Sequence, residues 1–379
     1  MEKNNNLVSF SIITLVALFM RFMSRDILSF DMTIYLLPWF EHIKSTGGLT
    51  ALNQQVGDYG LLYQTIIALF TYLDVNPVYL YKTLSIIFDF LLALSIAYFV
   101  NNSNSGTIFK RNSFCLSYAY VIMLPTVVMN SAIWGQCDSI YTFFLLWSVW
   151  FLYREKFSVS FFVLGCALSF KLQTVLLMPL YIFYYFCVNR FSIFNPLITF
   201  ITFWFSGIVT YIYGRGLLDG IGIYLFQVAE YKNMWMNVPS FWVLWGNHYE
   251  KYHLVAIILT FLLLSIGLYF AIVNKTIMFS FEQFISVAVF IEWTCILFLP
   301  AMHERYTYVL DLLLLMQSFI NKKYIKYAVI AIGLSCLTYN AFLYTYEVIV
   351  TPQLVIVYLL AWLHYTYYLF FTNKSNQNI

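Results

Sequence analysis

The chain has 379 residues, 62% of them hydrophobic and only 10% charged, with a formal net charge of +3. A soluble domain carries about 25% charged residues. So few polar side chains cannot cover a water-facing surface of this size, so lipid must cover part of it. The small positive balance is scattered over many short segments, which excludes a basic block for nucleic acid. The six cysteines, Cys115, Cys137, Cys166, Cys187, Cys295 and Cys336, lie in or beside apolar runs. They show no CxxC or Cys/His metal spacing and read as small hydrophobes.

In chain order, the first apolar run follows Lys3 and continues to Met23 without a small-residue cleavage site, as expected of a retained first helix. Residues 24–76 are too polar for a simple span. They hold two amphipathic stretches, Ile34 to Ile43 and Leu61 to Leu73, each suited to a helix lying in the membrane interface. Apolar stretches follow at 77–100, 113–130, 139–153, 157–170, 174–188 and 195–213, and after a second long connection at 214–251 they resume at 252–273, 281–299, 306–320, 325–346 and 352–371. With 7–23 this predicts a single all-α, polytopic membrane domain over 1–379, with about twelve transmembrane helices.

With the N-terminus inside, the short inner loops hold Lys3, Lys110, Arg111, Arg154, Lys156, Arg190, Lys275, Lys322, Lys323, Lys326 and Lys374. The outer segments then collect most of the acids: Asp26, Asp31, Glu41, Asp58, Asp138, Asp219, Glu230 and Glu304. They also collect the short polar motifs SFDMTIYLLPWF (29–40), GDYGLLY (57–63), WGQCDS (134–139), SFKLQ (169–173), MWMNVPSFW (234–242) and PAMHERYTY (300–308). A charge beside hydrocarbon is costly unless paired or hydrated, so such a set points to function. Lys171, His303 and Arg305 have the chemistry to hold a phosphate. A carboxylate within hydrogen-bond reach of a hydroxyl can act as a base. Aromatic rings beside acids suit the C–H faces and hydroxyl edges of sugars.

Each residue has a plainer use. Asp31 could cap a helix starting near Thr33, and Asp138 could cap the span after it. Asp58 and Gln136 could serve turns. Lys171 could snorkel to the interface. His303, Glu304 and Arg305 could form a local ion pair at a helix end. Asp89, Glu292 and Asp311, inside apolar stretches, are expected to pair with polar neighbours.

The acid after the first span, WGQCDS, SFKLQ followed by LLMPL, and PAMHERYTY, in this order and on one side, resemble the C-superfamily (GT-C) of membrane glycosyltransferases, especially bacterial relatives of the second GPI mannosyltransferase. The resemblance implies inverting transfer of a hexose from a polyprenyl-phosphate-linked donor to a lipid-linked or cell-surface glycan acceptor. It makes Asp31 the general base and gives the donor phosphate to Arg305, with His303 or Lys171. It gives sugar and acceptor contacts to Asp58, Tyr59, Trp134, Gln136, Asp138, Gln173, Asn237, Glu304 and Tyr306. No DxD or DE pair stands at Asp31, so neither a metal nor another cofactor is implied, and GDYGLLY replaces the double proline common in relatives. The expected setting is a bacterial plasma membrane with the site facing outside, or the ER membrane in a eukaryote. A flippase for lipid-linked saccharides would instead show two related halves with broken helices near mid-membrane, and a polysaccharide polymerase or ligase would place its large outer loop in the second half.

Overall fold

The computed structural model describes residues 2–103, 113–274, 278, 280–345 and 349–372. Lys110, Arg111, Lys275 and Lys374, assigned above to inner loops, lie outside them. The chain is helical almost throughout: α1 (Glu2–Met23), α2 (Leu37–Ser45), α3 (Leu61–Phe70), α4 (Pro77–Asn101), α5 (Ser113–Ile122), α6 (Pro125–Val128), α7 (Asp138–Tyr153), α8 (Phe157–Phe170), α9 (Pro179–Cys187), α10 (Asn195–Ser206), α11 (Ile208–Ile212), α12 (Asp219–Glu230), α13 (Tyr249–Val273), α14 (Phe281–Phe298), α15 (Tyr308–Ile320), α16 (Ile325–Asn340) and α17 (Pro352–Tyr367). Among the described residues, the extended pairing is one parallel pair of two-residue strands, β1 (Trp235–Met236) and β2 (Met302–His303).

Each predicted apolar stretch is helical, but length separates them. Among the described residues, five helices are long and apolar enough to cross a membrane: Pro77–Asn101, Tyr249–Val273, Phe281–Phe298, Lys322–Tyr344 and Pro352–Thr372. A sixth forms if Ser113–Ile122 and Pro125–Trp134, bent by 49°, count as one broken span. The bend falls at Leu124–Pro125, where proline removes an N–H and holds Leu124 at φ −59°, ψ 125°. The other helices are short. The 16 residues of α7 reach about 24 Å, less than the ~30 Å of a hydrocarbon core.

The chain gathers into two compact units, each assembled from three segments: 1–95, 118–174 and 192–231 form the first, and 96–117, 175–191 and 232–379 the second. In the first, α2 buries Phe40 and Ile43 and turns Glu41 and Lys44 outward, as its amphipathic spacing predicts. Helices α7 and α8 are joined by reciprocal bonds: Ser148 Oγ donates to the Ser160 carbonyl at 2.7 Å and Ser160 Oγ to the Ser148 carbonyl at 2.8 Å. Such hydroxyls tie helices together where the hydrophobic effect gives little preference for helix over lipid. In the second unit, α15 is buried along its whole length and α14 nearly so, while α13 turns Leu254, Ile258, Phe261 and Leu262 outward.

A buried ion pair ties the first unit together. Arg21 of α1 donates through Nε and Nη2 to Asp89 Oδ2 of α4, at 3.1 and 2.9 Å, and through Nη2 to the Ile122 carbonyl at 3.0 Å. Ser131 donates to the same carboxylate oxygen at 2.5 Å. Asp89 therefore pairs with polar neighbours, as expected for an acid within an apolar stretch. Removing one partner of such a pair strands a buried charge. Asp89→Ala is expected to cost about 3–5 kcal/mol of unfolding free energy in detergent, and Arg21→Met with Asp89→Leu much less. Equal losses in the two variants would show that the pair is not what holds α1 to α4.

Candidate functional site

The polar motifs of the first unit converge on the segment 129–138. It begins as a π-helical turn, Met129–Trp134, and ends at Gly135 with φ +78°. The left-handed backbone favours glycine here, and a Cβ would lie 2.3 Å from Met32 Cε, so that a side chain would push aside the flexible end of Met32. A second π-helical turn, Met32–Leu36, faces it from the chain after α1. Single-turn π-helices are uncommon and concentrate at functional sites.

Ser29 joins the two. Its hydroxyl accepts the Met32 N–H at 3.1 Å and donates to the Trp134 carbonyl at 2.8 Å. Ser29, not Asp31, therefore caps this helical start, and the Asp31 side chain makes no capping bond. The half-buried Asp31 turns toward WGQ instead. Its Oδ2 accepts from Trp134 Nε1 at 2.9 Å and Gln136 Nε2 at 2.8 Å. Both donors are neutral and buried. They orient the carboxylate without contributing the full charge of an ammonium or guanidinium. Gln136 Oε1 in turn accepts from the Tyr59 hydroxyl at 2.9 Å. The Tyr59 ring packs edge-on against Trp39, centroids 5.9 Å apart, and against Tyr63 at 4.7 Å. Tyr63 is itself buried, and burial, reinforced by Cys137, Tyr81 and Asp138, pushes its phenol well above the ordinary range. It stays protonated at neutral pH, so it cannot serve as the base.

Asp138, the first residue of α7, is set differently. Lys171 pairs with Oδ1, and Asn130 Nδ2 donates to Oδ2 at 2.7 Å. Both residues of the pair are buried, and the ammonium lies 5.9 Å from the Tyr141 ring centroid. Lys171 is extended, φ −149° and ψ 138°, where α8 ends. It is therefore engaged by a carboxylate rather than snorkelling, and a phosphate would have to compete with Asp138 for it. Gln173 follows with Oε1 buried and no hydrogen-bond partner among the described residues. Asp58 holds the loop 57–59 against α12: its carbonyl accepts from Gln227 Nε2, and its Oδ2 faces the Tyr231 hydroxyl at 3.5 Å.

In the second unit, the β pairing aligns Trp235 with Met302 and Met236 with His303, and so brings MWMN beside MHER. Asn237 leaves β1 at φ +51° and donates through Nδ2 to the Thr338 carbonyl at 3.1 Å. Ala301 precedes β2 at φ +58°, its N–H bonded to the Asn233 carbonyl at 3.0 Å. Non-glycine residues in this region store backbone strain, which collects at functional sites. His303 Nδ1 stands 4.0 Å from Glu304 Oε1, and its ring packs on Tyr306 at 5.3 Å. Glu304 is buried and Arg305 half-buried, and the Arg305 carbonyl accepts from the Tyr339 hydroxyl at 3.3 Å. The site residues thus fall into two sets, Asp31, Asp58, Tyr59, Trp134, Gln136, Asp138, Lys171 and Gln173 in one unit, and Asn237 and His303 to Tyr306 in the other.

Sequence reasoning passed over Ser29 as an individual residue, Asn130, Arg21, Gln55 and Arg215. The signal was present only for Ser29, a capping residue three positions before the helical N–H it accepts. Among the described residues no three of His, Cys, Asp or Glu are grouped closely enough to hold a metal ion. No family profile matches this chain, and no curated protein does.

Replacing Ser29 by alanine removes both a cap and a cross-segment bond. The expected loss is about 1–2 kcal/mol of stability, with a shift of Trp134 fluorescence as the indole loses its fixed place beside Asp31. Unchanged stability and emission would mean that another group holds the two segments.

Proposed function

We propose that this chain is an integral membrane glycosyltransferase that moves a hexose from a polyprenyl-phosphate-linked donor to a glycan acceptor outside the cytoplasm, with Asp31 as general base. The observation that carries the reading is the state of Asp31: relieved of capping by Ser29 and oriented through Oδ2 by two neutral N–H groups, at 2.9 and 2.8 Å. Asp138 and Asp89 are held by Lys171 and Arg21. A base must be fixed in direction toward the proton it takes, and the Trp134 and Gln136 donors fix Oδ2.

In the reaction, Asp31 takes the proton from an acceptor hydroxyl as that oxygen attacks C1 of the donor sugar. The C1–O bond to phosphate breaks, the prenyl phosphate leaves, and the anomeric configuration inverts. The donor phosphate is assigned to Arg305 and His303, as the resemblance implies. Arg305 supplies a permanent charge and a planar fork suited to phosphate oxygens. Lys171 is reassigned: its pairing with Asp138 fixes the end of α8 against the start of α7 and so keeps WGQ in place. Tyr59, with Trp39 beside it, presents aromatic surface for a sugar ring. The prenyl tail of the donor accounts for the membrane setting. Under this reading the shorter apolar helices, α7 to α10 among them, also cross, tilted or through a thinned bilayer, which brings the count to about twelve.

The test uses purified protein in nanodiscs with a polyprenyl-phosphate hexose and glycan acceptors. Asp31→Asn keeps the size and shape of the side chain and is expected to lower transfer about 10²- to 10⁴-fold while leaving donor binding intact. Arg305→Ala is expected to weaken donor binding more than acceptor binding. Equal transfer by wild type and Asp31→Asn would remove the base assignment. Absence of transfer, together with lipid-linked sugar crossing liposomes, would place the chain among flippases.

A further inference from the structure

A cleft of about 510 Å³ opens within the first unit, lined by Asn53, Gln54, Gln55, Asp58, Arg215 and Asp219, with Gly222 and Phe226 on α12. None of the roles assigned so far uses Arg215. Its side chain is 97% buried, since only 3% of its surface is accessible. Nε donates to Asp219 Oδ2 at 3.0 Å and Nη2 to Gln55 Oε1 at 2.6 Å, while Nη1 is buried without a partner among the described residues. A buried guanidinium nitrogen left unsatisfied costs free energy that a bound acceptor atom would recover.

Gly222 is the second, independent observation. A glycine inside a helix is unfavourable relative to alanine. The neighbouring Gly220 has a packing reason, because a Cβ there would come within 3.3 Å of Leu61 and 3.5 Å of Phe203. Gly222 has none: nothing stands within 4 Å of where its Cβ would be. A helical glycine with no side chain and no packing neighbour leaves its backbone open to whatever occupies the space beside it. The space beside Gly222 belongs to the cleft.

The lining also selects the class of ligand. One guanidinium and two carboxylates leave it with a net negative charge, which disfavours phosphate. The side-chain amides of Asn53 and Gln54 carry both donors and acceptors, which suits a neutral ligand rich in hydroxyls, and Phe226 adds an apolar face. The cleft also connects to the base. Arg215 holds Gln55, and Gln55 Nε2 donates to the carbonyls of Gly57 at 2.6 Å and Tyr59 at 3.4 Å. Tyr59 then reaches Gln136, and Gln136 reaches Asp31.

We infer that this cleft binds a neutral saccharide and holds the non-reacting part of the glycan acceptor while its attacking hydroxyl lies at Asp31, an assignment that rests on the transferase reading for its role but not for its binding. The experiment is saturation-transfer NMR on the full chain in nanodiscs, using neutral disaccharides of manno, gluco and galacto configuration, with inorganic phosphate as the anionic probe. Wild type is expected to bind at least one disaccharide. Gly222→Phe sets a ring on the cleft side of α12, on a Cβ that meets no neighbour within 4 Å, and is expected to weaken that binding roughly tenfold or more. Gly222→Ala is expected to raise the melting temperature and weaken binding less, which separates occupancy from folding. Arg215→Lys keeps the charge, loses the fork, and is expected to weaken binding also. Failure of wild type to bind any of the disaccharides, or undiminished binding by Gly222→Phe, overturns the proposal. Phosphate binding that Gly222→Phe abolishes overturns it in favour of an anion site. Disaccharide binding with this mutational pattern but no sugar transfer would remove the transferase reading and leave the saccharide site. Transfer with an acceptor KM unmoved by Gly222→Phe would do the reverse.

Discussion

The site depends on a division of labour between two residues two positions apart. A helical start needs an acceptor for its first free N–H groups, and both Ser29 and Asp31 are capable of it. Ser29 takes that duty and, with the same oxygen, donates to the Trp134 carbonyl. Asp31 is thereby released to face Trp134 and Gln136. Were the roles exchanged, the carboxylate would be spent on the backbone and the link between the chain after α1 and the turn before α7 would be lost.

Other polar ties hold the same turn from different directions. Ser131 bonds the Asp89 carboxylate that Arg21 neutralises, Asn130 and Lys171 share Asp138, and Ser139 Oγ donates to the Ser85 carbonyl at 2.9 Å. In an apolar surround such bonds have few competitors, and breaking one leaves a buried polar group unsatisfied. Trp134 and Gln136 are therefore fixed before any substrate arrives. Such preorganisation is what a catalytic carboxylate requires of its supports. The amide and indole groups held in this way meet the residue proposed to take a proton.

Much of the helical architecture was legible in the sequence, because runs of apolar residues bounded by Pro, Gly and charged residues leave little alternative to helix in a chain this poor in charge. The amphipathic α2 and α3 were legible for the same local reasons, whereas the break at Pro125 falls inside the stretch 113–130, which reads as a single span. The number of crossings was less so, since a helix of 14 to 16 residues, such as α8 or α7, is short for a bilayer and composition does not say how it is accommodated. The short motifs were recognisable as polar islands at helix ends, but their partnerships were not. Asp31 meets residues 103 and 105 positions away, and Lys171 meets Asp138 across 33. Local spacing carries no information about such encounters. The β1–β2 pairing was invisible, because two-residue strands have no period to detect.

The central claim is that Asp31 acts as a base and not only as a structural acceptor for WGQ. Chemical rescue separates the two directly. Asp31→Ala in nanodiscs is given donor and acceptor with and without added formate, and the anomeric configuration of the product is determined. If Asp31 removes the proton, the variant is inactive alone, and formate, lodged in the space left by the carboxylate, restores transfer with inverted configuration. An Asp31→Ala protein that transfers sugar at the wild-type rate without formate, or one that binds both substrates and stays inactive at every formate concentration, would contradict the account.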